Sequence, residues 1–203
     1  MLIEKLRYRN LQIDRWEIAP GETWCLIGGN ASGKSLFASI LSGETCPESG
    51  SIANLPKKVS WASFEIQQST YEAELENDDT DFLDRIDHGS TGLQILLQSG
   101  ATESLAREFA TKLRVSDILE RGYKLLSSGE ARKLLLLKEI LSNPDLLILD
   151  EPFEGLDEVS RDELTALCQN LVDEGHVLLF LVNRIDDIPD CSTHLGILQR
   201  GQL

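Results

Sequence analysis

Eight consecutive residues, Gly28-Gly29-Asn30-Ala31-Ser32-Gly33-Lys34-Ser35, have the types and spacing of a loop that holds phosphate. They fit G-x-x-x-x-G-K-[ST]. In that pattern backbone N–H groups curl around the anion, the lysine adds a mobile charge for the β- and γ-phosphates, and the serine hydroxyl is offered to Mg²⁺. Gly28 and Gly33 can take backbone angles closed to other residues. A second signal lies far along the chain, where Leu146-Leu147-Ile148-Leu149 ends in Asp150-Glu151. Beside a phosphate loop, that pair specifies hydrolysis. Asp150 would hold Mg²⁺ through its water shell, and Glu151 would orient or deprotonate the attacking water. The expected site is one for a nucleoside triphosphate.

Elements of particular kinds must position these groups. Thr23 to Ile27 reads as a buried strand and Leu36 to Leu41 is apolar at helical spacing, so the loop joins a strand to a helix that ends near Gly43. That helix points its positive dipole end at the anion. Leu146 to Leu149 suggests a parallel strand buried on both faces, with the two carboxylates at its carboxyl end; Val59 to Phe64 and His176 to Val182 read as further strands. Strands alternating with helices imply an α/β fold with a mostly parallel sheet flanked by helices.

Outside that frame, Leu11-Gln12-Ile13 and Trp16-Glu17-Ile18 alternate like an exposed strand pair, an antiparallel edge, and Pro47 to Ile52 reads as a turn. Glu65 to Leu125 reads as a small helical insertion, with helices at Thr91 to Gln98, Ser104 to Leu113 and Val115 to Arg121, and with a solvated, acid-rich stretch at Glu72 to Asp87. Ser128 is placed to cap the strong helix former that runs to Leu141. Asp162 to Glu174 predicts an amphipathic helix stopped by Gly175, and Gly196-Ile197-Leu198 followed by Gly201 a final hairpin.

The chain has 203 residues, 41% hydrophobic and 26% charged, which is the composition of a globular protein able to bury a sizeable core. No apolar run reaches the ~18 residues of a membrane span. Met1 to Arg7 lacks the long apolar stretch of a signal peptide. Cys25, Cys46, Cys168 and Cys191 are scattered with no C-x-x-C spacing, so four reduced thiols of a cytoplasmic protein are expected rather than a metal site. The net charge of −15 repels nucleic-acid phosphates and anionic lipids, so no direct nucleic-acid partner is expected.

Four motifs in order, Gly28 to Ser35, Leu126-Ser127-Ser128-Gly129-Glu130, Leu146 to Pro152 and Gly155-Leu156-Asp157, together resemble the ATP-binding cassette (ABC) ATPases over nearly the whole chain. The resemblance implies one cassette, residues 1–203, with a nucleotide-binding core (1–64 and 126–203) and a helical subdomain (about 65–125). It implies ATP and Mg²⁺ as ligands. It also implies two cassettes packed head to tail, so that Ser127, Ser128 and Gly129, in a signature completed by Glu130, donate to the γ-phosphate held by the other cassette. Serine stands there in place of the signature's first glycine. Asp157 falls at the D-loop, and the nucleotide-binding run extends to Leu36. Gln67 and Gln68 are both placed for the Q-loop glutamine that senses the metal and the water, with Gln68 favoured. Tyr8 is the nearest choice for the aromatic that stacks on adenine; Trp16 is expected to pack in the strand pair.

One position departs from the family. Asn183 stands where the switch histidine is usual. Asparagine can donate a hydrogen bond to a γ-phosphate but carries no positive charge, so slow hydrolysis or tight ATP retention is expected. Arg184 could compensate if its side chain turned inward. The runs Ser63 to Gln68, Glu151 to Asp157 and Asn183 to Pro189 look closest to the first of two tandem cassettes in ModF-type proteins, described as molybdate-transport ATP-binding and sometimes photorepair proteins. The resemblance then implies a domain of a longer protein whose partner is a second cassette, in a homodimer or in the same chain. It leaves three roles open. These are an ATPase driving a membrane permease, peripheral on the membrane's inner face; a soluble ABC ATPase acting on another macromolecule; and a poorly hydrolysing module that supports another cassette.

Overall fold

The computed structural model describes residues 1–63, 68–73 and 88–203. Its strands are β1 (Leu2–Tyr8), β2 (Leu11–Glu17), β3 (Trp24–Ile27), β4 (Ser49–Ala53), β5 (Val59–Ala62), β6 (Leu146–Asp150), β7 (Val177–Val182) and β8 (His194–Ile197). Its longer helices are α1 (Lys34–Leu41), α2 (Gly92–Leu97), α3 (Glu103–Lys112), α4 (Ser128–Leu141) and α5 (Glu158–Asp173). The chain divides into two compact units. One comprises Met1–Trp61, Pro144–Glu154 and Thr165–Leu203, the other Ala62–Asn143 and Gly155–Leu164. Gln67 and most of the acidic stretch fall outside the described residues.

In the first unit a sheet of order β5-β6-β7-β3-β8 carries the site. The pairs β6–β7, β7–β3 and β3–β8 are all parallel. Every residue of β6 is buried, as is all of β7 after Val177, which is why both read as unbroken apolar runs rather than alternating ones. Because the strands are parallel, their carboxyl ends share one edge, and Ile27, Asp150 and Val182 all stop there. The mixed α/β architecture expected from the alternation of elements is the one found.

The antiparallel sheet differs from its sequence reading. Leu11 to Glu17 is one strand, not two, and its partners are β1 and β4, in the order β2-β1-β4. Asp14 and Arg15 are both exposed, which breaks the period of two that the sequence reading followed, while Leu11, Ile13 and Trp16 still turn inward. Opposite that break, Lys5 of β1 takes φ 52°. The stretch expected to turn at Pro47 to Ile52 instead forms β4, an edge strand whose mostly exposed, small and polar residues hide the alternation. The expected closing hairpin is also revised. Gly196 and Ile197 belong to β8, in parallel register with β3, and the turn lies in the bridge from Gln199 to Gln202.

One apolar cluster holds this unit together. Phe37, Ala38 and Leu41 of α1 pack with Ile3, Leu6, Ile13 and Trp16 from the antiparallel sheet and with Leu26, Ile148 and Leu181 from the parallel one. The Trp16 ring meets Phe37 and Trp24 edge-on at 5.3 and 5.2 Å. Each such side chain contributes ~1.5–3 kcal/mol on burial, so the helix that begins at the phosphate loop is firmly seated.

In the second unit α2 and α3 each begin at a residue that caps them. Thr91 accepts from Gln94 N–H and Gln94 reaches back, a capping box; Thr102 accepts from Leu105 N–H. Val115 to Arg121, expected as a helix, forms only a 3₁₀ turn at Ser116–Ile118. Helix α5 starts four residues earlier than predicted because Asp157 accepts from the Ser160 N–H at 2.7 Å, closing its first turn.

Candidate functional site

The loop leaves β3 at Ile27 and is held from below. Gly28 N–H donates to Val182 O at 3.0 Å, and Gly201 N–H donates to Ser32 O at 2.9 Å. Gly33, at φ 107°, takes the left-handed conformation required by the turn into α1. Gly28 is needed for a different reason than the one read from sequence, since its φ is not positive. A Cβ there would stand 2.4 Å from both Leu198 O and Ser32 Oγ. The second unusual angle of the loop falls instead on Ala31, at φ 61°. Gly29, Asn30, Ala31 and Ser35 are exposed along the loop, while Leu36 packs partly into the core. The N–H groups of Lys34, Ser35 and Leu36 open α1 and have no partner within the helix, so they can accept an anion.

Lys34 is nearly buried, at 6% exposure. Its Nζ donates to Gly28 O at 2.5 Å and to Asn183 Oδ1 at 2.6 Å, with Gly29 O at 3.3 Å and Glu151 Oε1 at 3.4 Å. Ser35 Oγ donates to Asp150 Oδ2 at 2.7 Å. Glu151 follows β6 at φ 51° and donates its N–H to Leu181 O at 2.9 Å. The Asn183 N–H donates to Glu151 Oε2 at 3.2 Å. Burial raises the Glu151 pKa above the usual carboxylate value, with Asp150 adding to the rise and Lys34 opposing it. One edge of one sheet thus brings together Lys34, Ser35, Asp150, Glu151 and Asn183.

Ser35 and Asp150 offer hard oxygen donors side by side, which suits Mg²⁺, an ion commonly held by one or two carboxylates together with substrate phosphates. The buried Ser32 Oγ has no hydrogen-bond partner and lies under Gly28, in the cradle that an added Cβ would fill. Among the described residues no cluster of three or more His, Cys, Asp or Glu could hold a metal by itself.

Among the described residues of the first unit, no hydrogen bond or ion pair joins Tyr8 to this group. Tyr8 ends β1 with its ring partly buried against the core and the Arg9 guanidinium 5.4 Å from the ring centre. Gln68 belongs to the second unit, exposed, with its amide donating to Glu72 Oε1 at 2.9 Å. Arg184 is exposed and lies 3.7 Å from the Asp186 carboxylate rather than turning inward.

The second unit carries the other motif residues. The cap of α4 is Ser127, not Ser128: Ser127 Oγ accepts from Glu130 N–H, and Glu130 Oε2 accepts from the Ser127 N–H at 2.8 Å. Ser128 is the first helical residue. Ser127, Gly129, Glu130, Lys133, Gly155 and Asp157 line part of a cleft of about 240 Å³ in this unit. These hydrogen bonds hold the Glu130 and Asp157 carboxyls below their usual range, chiefly through the Ser127 backbone for Glu130 and the Ser160 side chain for Asp157. Sequence reasoning did not single out Arg121, whose Nη1 meets Glu130 Oε1 at 2.7 Å and whose Nη2 donates to Leu125 O at 2.9 Å. No spacing rule points to it.

Residues 11–154 match the family described as ABC transporter. The ABC transporter ATP-binding protein ModF of Escherichia coli (strain K12) is 34% identical over 192 residues, covering 94% of this chain and 39% of that protein. The molybdenum import ATP-binding protein ModC of Brucella suis biovar 1 (strain 1330) is 26% identical, covering 100% of this chain and 58% of that protein. The chain therefore spans less than two thirds of either relative. A bacterial ABC transporter cassette solved as a dimer superposes with a TM-score of 0.79 at 16% identity, over 100% of this chain and 96% of that one. Its fold, its phosphate loop above a parallel sheet and the family match over most of its length lead to one conclusion: the chain belongs to the ABC transporter family, as an ATP-binding cassette.

Proposed function

We propose that this chain binds Mg-ATP along Gly28 to Leu36 and hydrolyses it slowly, at an interface with a second cassette packed head to tail. In this reading Lys34 and the N–H groups that open α1 take the β- and γ-phosphates. Ser35 and Asp150 hold Mg²⁺, Gln68 takes the metal-sensing Q-loop role that the family resemblance implies, and the ion neutralises phosphate charge. Glu151 prepares the attacking water, and Asn183 faces the γ-phosphate. Ser127, Ser128, Gly129, Glu130 and Asp157 belong to the surface that meets nucleotide on the partner cassette. The cycle powers transport through a separate membrane permease, from the cytoplasmic face. Similarity to the molybdenum import ATP-binding protein ModC supports molybdate as the cargo. The whole of residues 1–203 acts as one cassette, its core carrying the nucleotide and its helical subdomain meeting partners. Among the described residues no helix is long and apolar enough to cross a membrane.

The observation that carries this reading is the convergence of Ser35 on Asp150, at 2.7 Å, beside Lys34 and Glu151. One feature favours a second reading. Asn183 accepts from Lys34 and cannot become cationic, which suits a module that retains ATP while another cassette turns over.

ATPase rate against protein concentration, with Glu151→Gln as control, tests both. Activity that rises faster than linearly and vanishes in the control supports hydrolysis in a cassette pair. Tight Mg-ATP binding without activity supports the retaining module. No ATP binding overturns both readings. Co-purification with a permease separates transport from a soluble role.

A further inference from the structure

The Lys34 ammonium has three protons, and acceptors already surround all of them. Gly28 O and Asn183 Oδ1 take the shortest bonds, at 2.5 and 2.6 Å, and Gly29 O and the Glu151 carboxylate stand behind them at 3.3 and 3.4 Å. Lysine only donates, so the Asn183 atom that faces it is the amide oxygen and the NH₂ group points elsewhere. With Lys34 only 6% exposed, these charge-assisted bonds are made largely out of water, where they are strong. The Asn183 main chain meanwhile donates to Glu151 Oε2. A single residue after β7 therefore handles two of the site's three charged groups, the Glu151 carboxylate by its backbone and the Lys34 ammonium by its side chain.

A nucleotide on this loop needs the same ammonium. Gly28 O is main chain, on a residue tied to β7 through its N–H, and can turn only if the loop backbone turns, whereas the Asn183 amide rotates about side-chain bonds, so Asn183 is the partner that gives way. We propose that Asn183 determines specificity between ATP and ADP by competing with the nucleotide for Lys34. Either nucleotide breaks the bond from Lys34 to Asn183. Only a γ-phosphate offers the turned amide a new acceptor for its NH₂. ADP binding therefore loses a bond that ATP binding replaces, and specificity is that difference. This inference rests on the nucleotide site proposed above.

The test is calorimetric titration of Mg-ADP and of the Mg-bound β,γ-imido ATP analogue into the full chain, Asn183→Ala and Asn183→Asp. The alanine variant is expected to bind ADP about three- to tenfold more tightly, with no gain for the imido analogue, so that the preference for triphosphate narrows. The aspartate variant places a carboxylate against Lys34 and is expected to weaken ADP binding about tenfold. A folded Asn183→Ala protein that binds ADP no more tightly than wild type overturns the inference. If the alanine variant fails to fold, the near-isosteric aspartate variant decides, and ADP affinity equal to wild type overturns it. Wild-type protein that binds neither nucleotide refutes the site itself, before any variant is compared.

Discussion

The Lys34 ammonium stands 3.4 Å from the Glu151 carboxylate, yet the Glu151 pKa is raised rather than lowered. Burial is the largest cause, and Asp150 adds a like charge. Lys34 pulls the other way, but its shortest bonds go to Gly28 O and Asn183 Oδ1, so the carboxylate gets only a longer contact. A carboxyl with a raised folded pKa binds more protons in the native than in the unfolded state. Its ionisation therefore costs stability, and the cost appears as pH rises from the ordinary carboxylate range through the raised value. Glu151→Gln removes that cost. The variant is expected to melt a few degrees above wild type at pH 7, with the difference shrinking toward pH 4. Calorimetric melts across that range check it, and a variant that melts below wild type at pH 7 would contradict it.

The same shift has a kinetic consequence. On the proposed reading Glu151 prepares the attacking water and must be ionised to do so, so the acid limb of the ATPase pH profile should lie above the range of an ordinary glutamate. Glu151→Gln should lower kcat by about 10²–10⁴-fold while Mg-ATP still binds. A profile flat down to the ordinary carboxylate range would assign the base to another group.

Ser127 and Ser128 are neighbours with different jobs in the helix. Ser127 closes a capping box with Glu130, whereas Ser128 is already the first helical residue. Ser127→Ala should cost about 1 kcal/mol of stability in urea denaturation, and Ser128→Ala a few tenths at most. Equal losses would mean that the box adds nothing beyond helix propensity.

How legible the site was depended on where its constraints lie. The loop, Lys34, Ser35 and the acidic end of β6 could be read directly, because phosphate chemistry fixes both their types and their local spacing. The buried strands β6 and β7 could be read because burial on both faces leaves an unbroken apolar run. The antiparallel sheet could not. The exposed pair Asp14 and Arg15 interrupts the alternation of β2, and β4 has hardly an apolar residue to mark it. The hydrogen bond from Lys34 to Asn183 spans 149 residues, and the link from Arg121 to Glu130 depends on how a loop folds back; neither leaves a trace in spacing.

Gly28 and Gly29 separate space from conformation. A Cβ on Gly28 would stand 2.4 Å from Leu198 O, a backbone atom that cannot easily move, whereas a Cβ on Gly29 meets nothing within 4 Å. Gly28→Ala should therefore destabilise the fold by about 2 kcal/mol or more and abolish ATP binding, while Gly29→Ala should stay within about 1 kcal/mol of wild type. Urea denaturation of the two variants side by side decides it. Equal stabilities would mean that the loop relaxes around the added methyl.

The four cysteines should separate into one reactive thiol and three silent ones. Cys25, Cys168 and Cys191 are buried, and burial pushes the Cys25 thiol up to about 12 and raises the other two. The thiolate is the nucleophile, so at neutral pH these three are both shielded and protonated. Cys46 is exposed. An aromatic disulfide reagent at pH 7.5 should titrate one thiol rapidly in the native protein and the remaining three only in denaturant. Cys46→Ser should abolish the rapid phase and leave the slow one unchanged. A second rapid equivalent would show that one of the three buried sites opens on the timescale of the reaction.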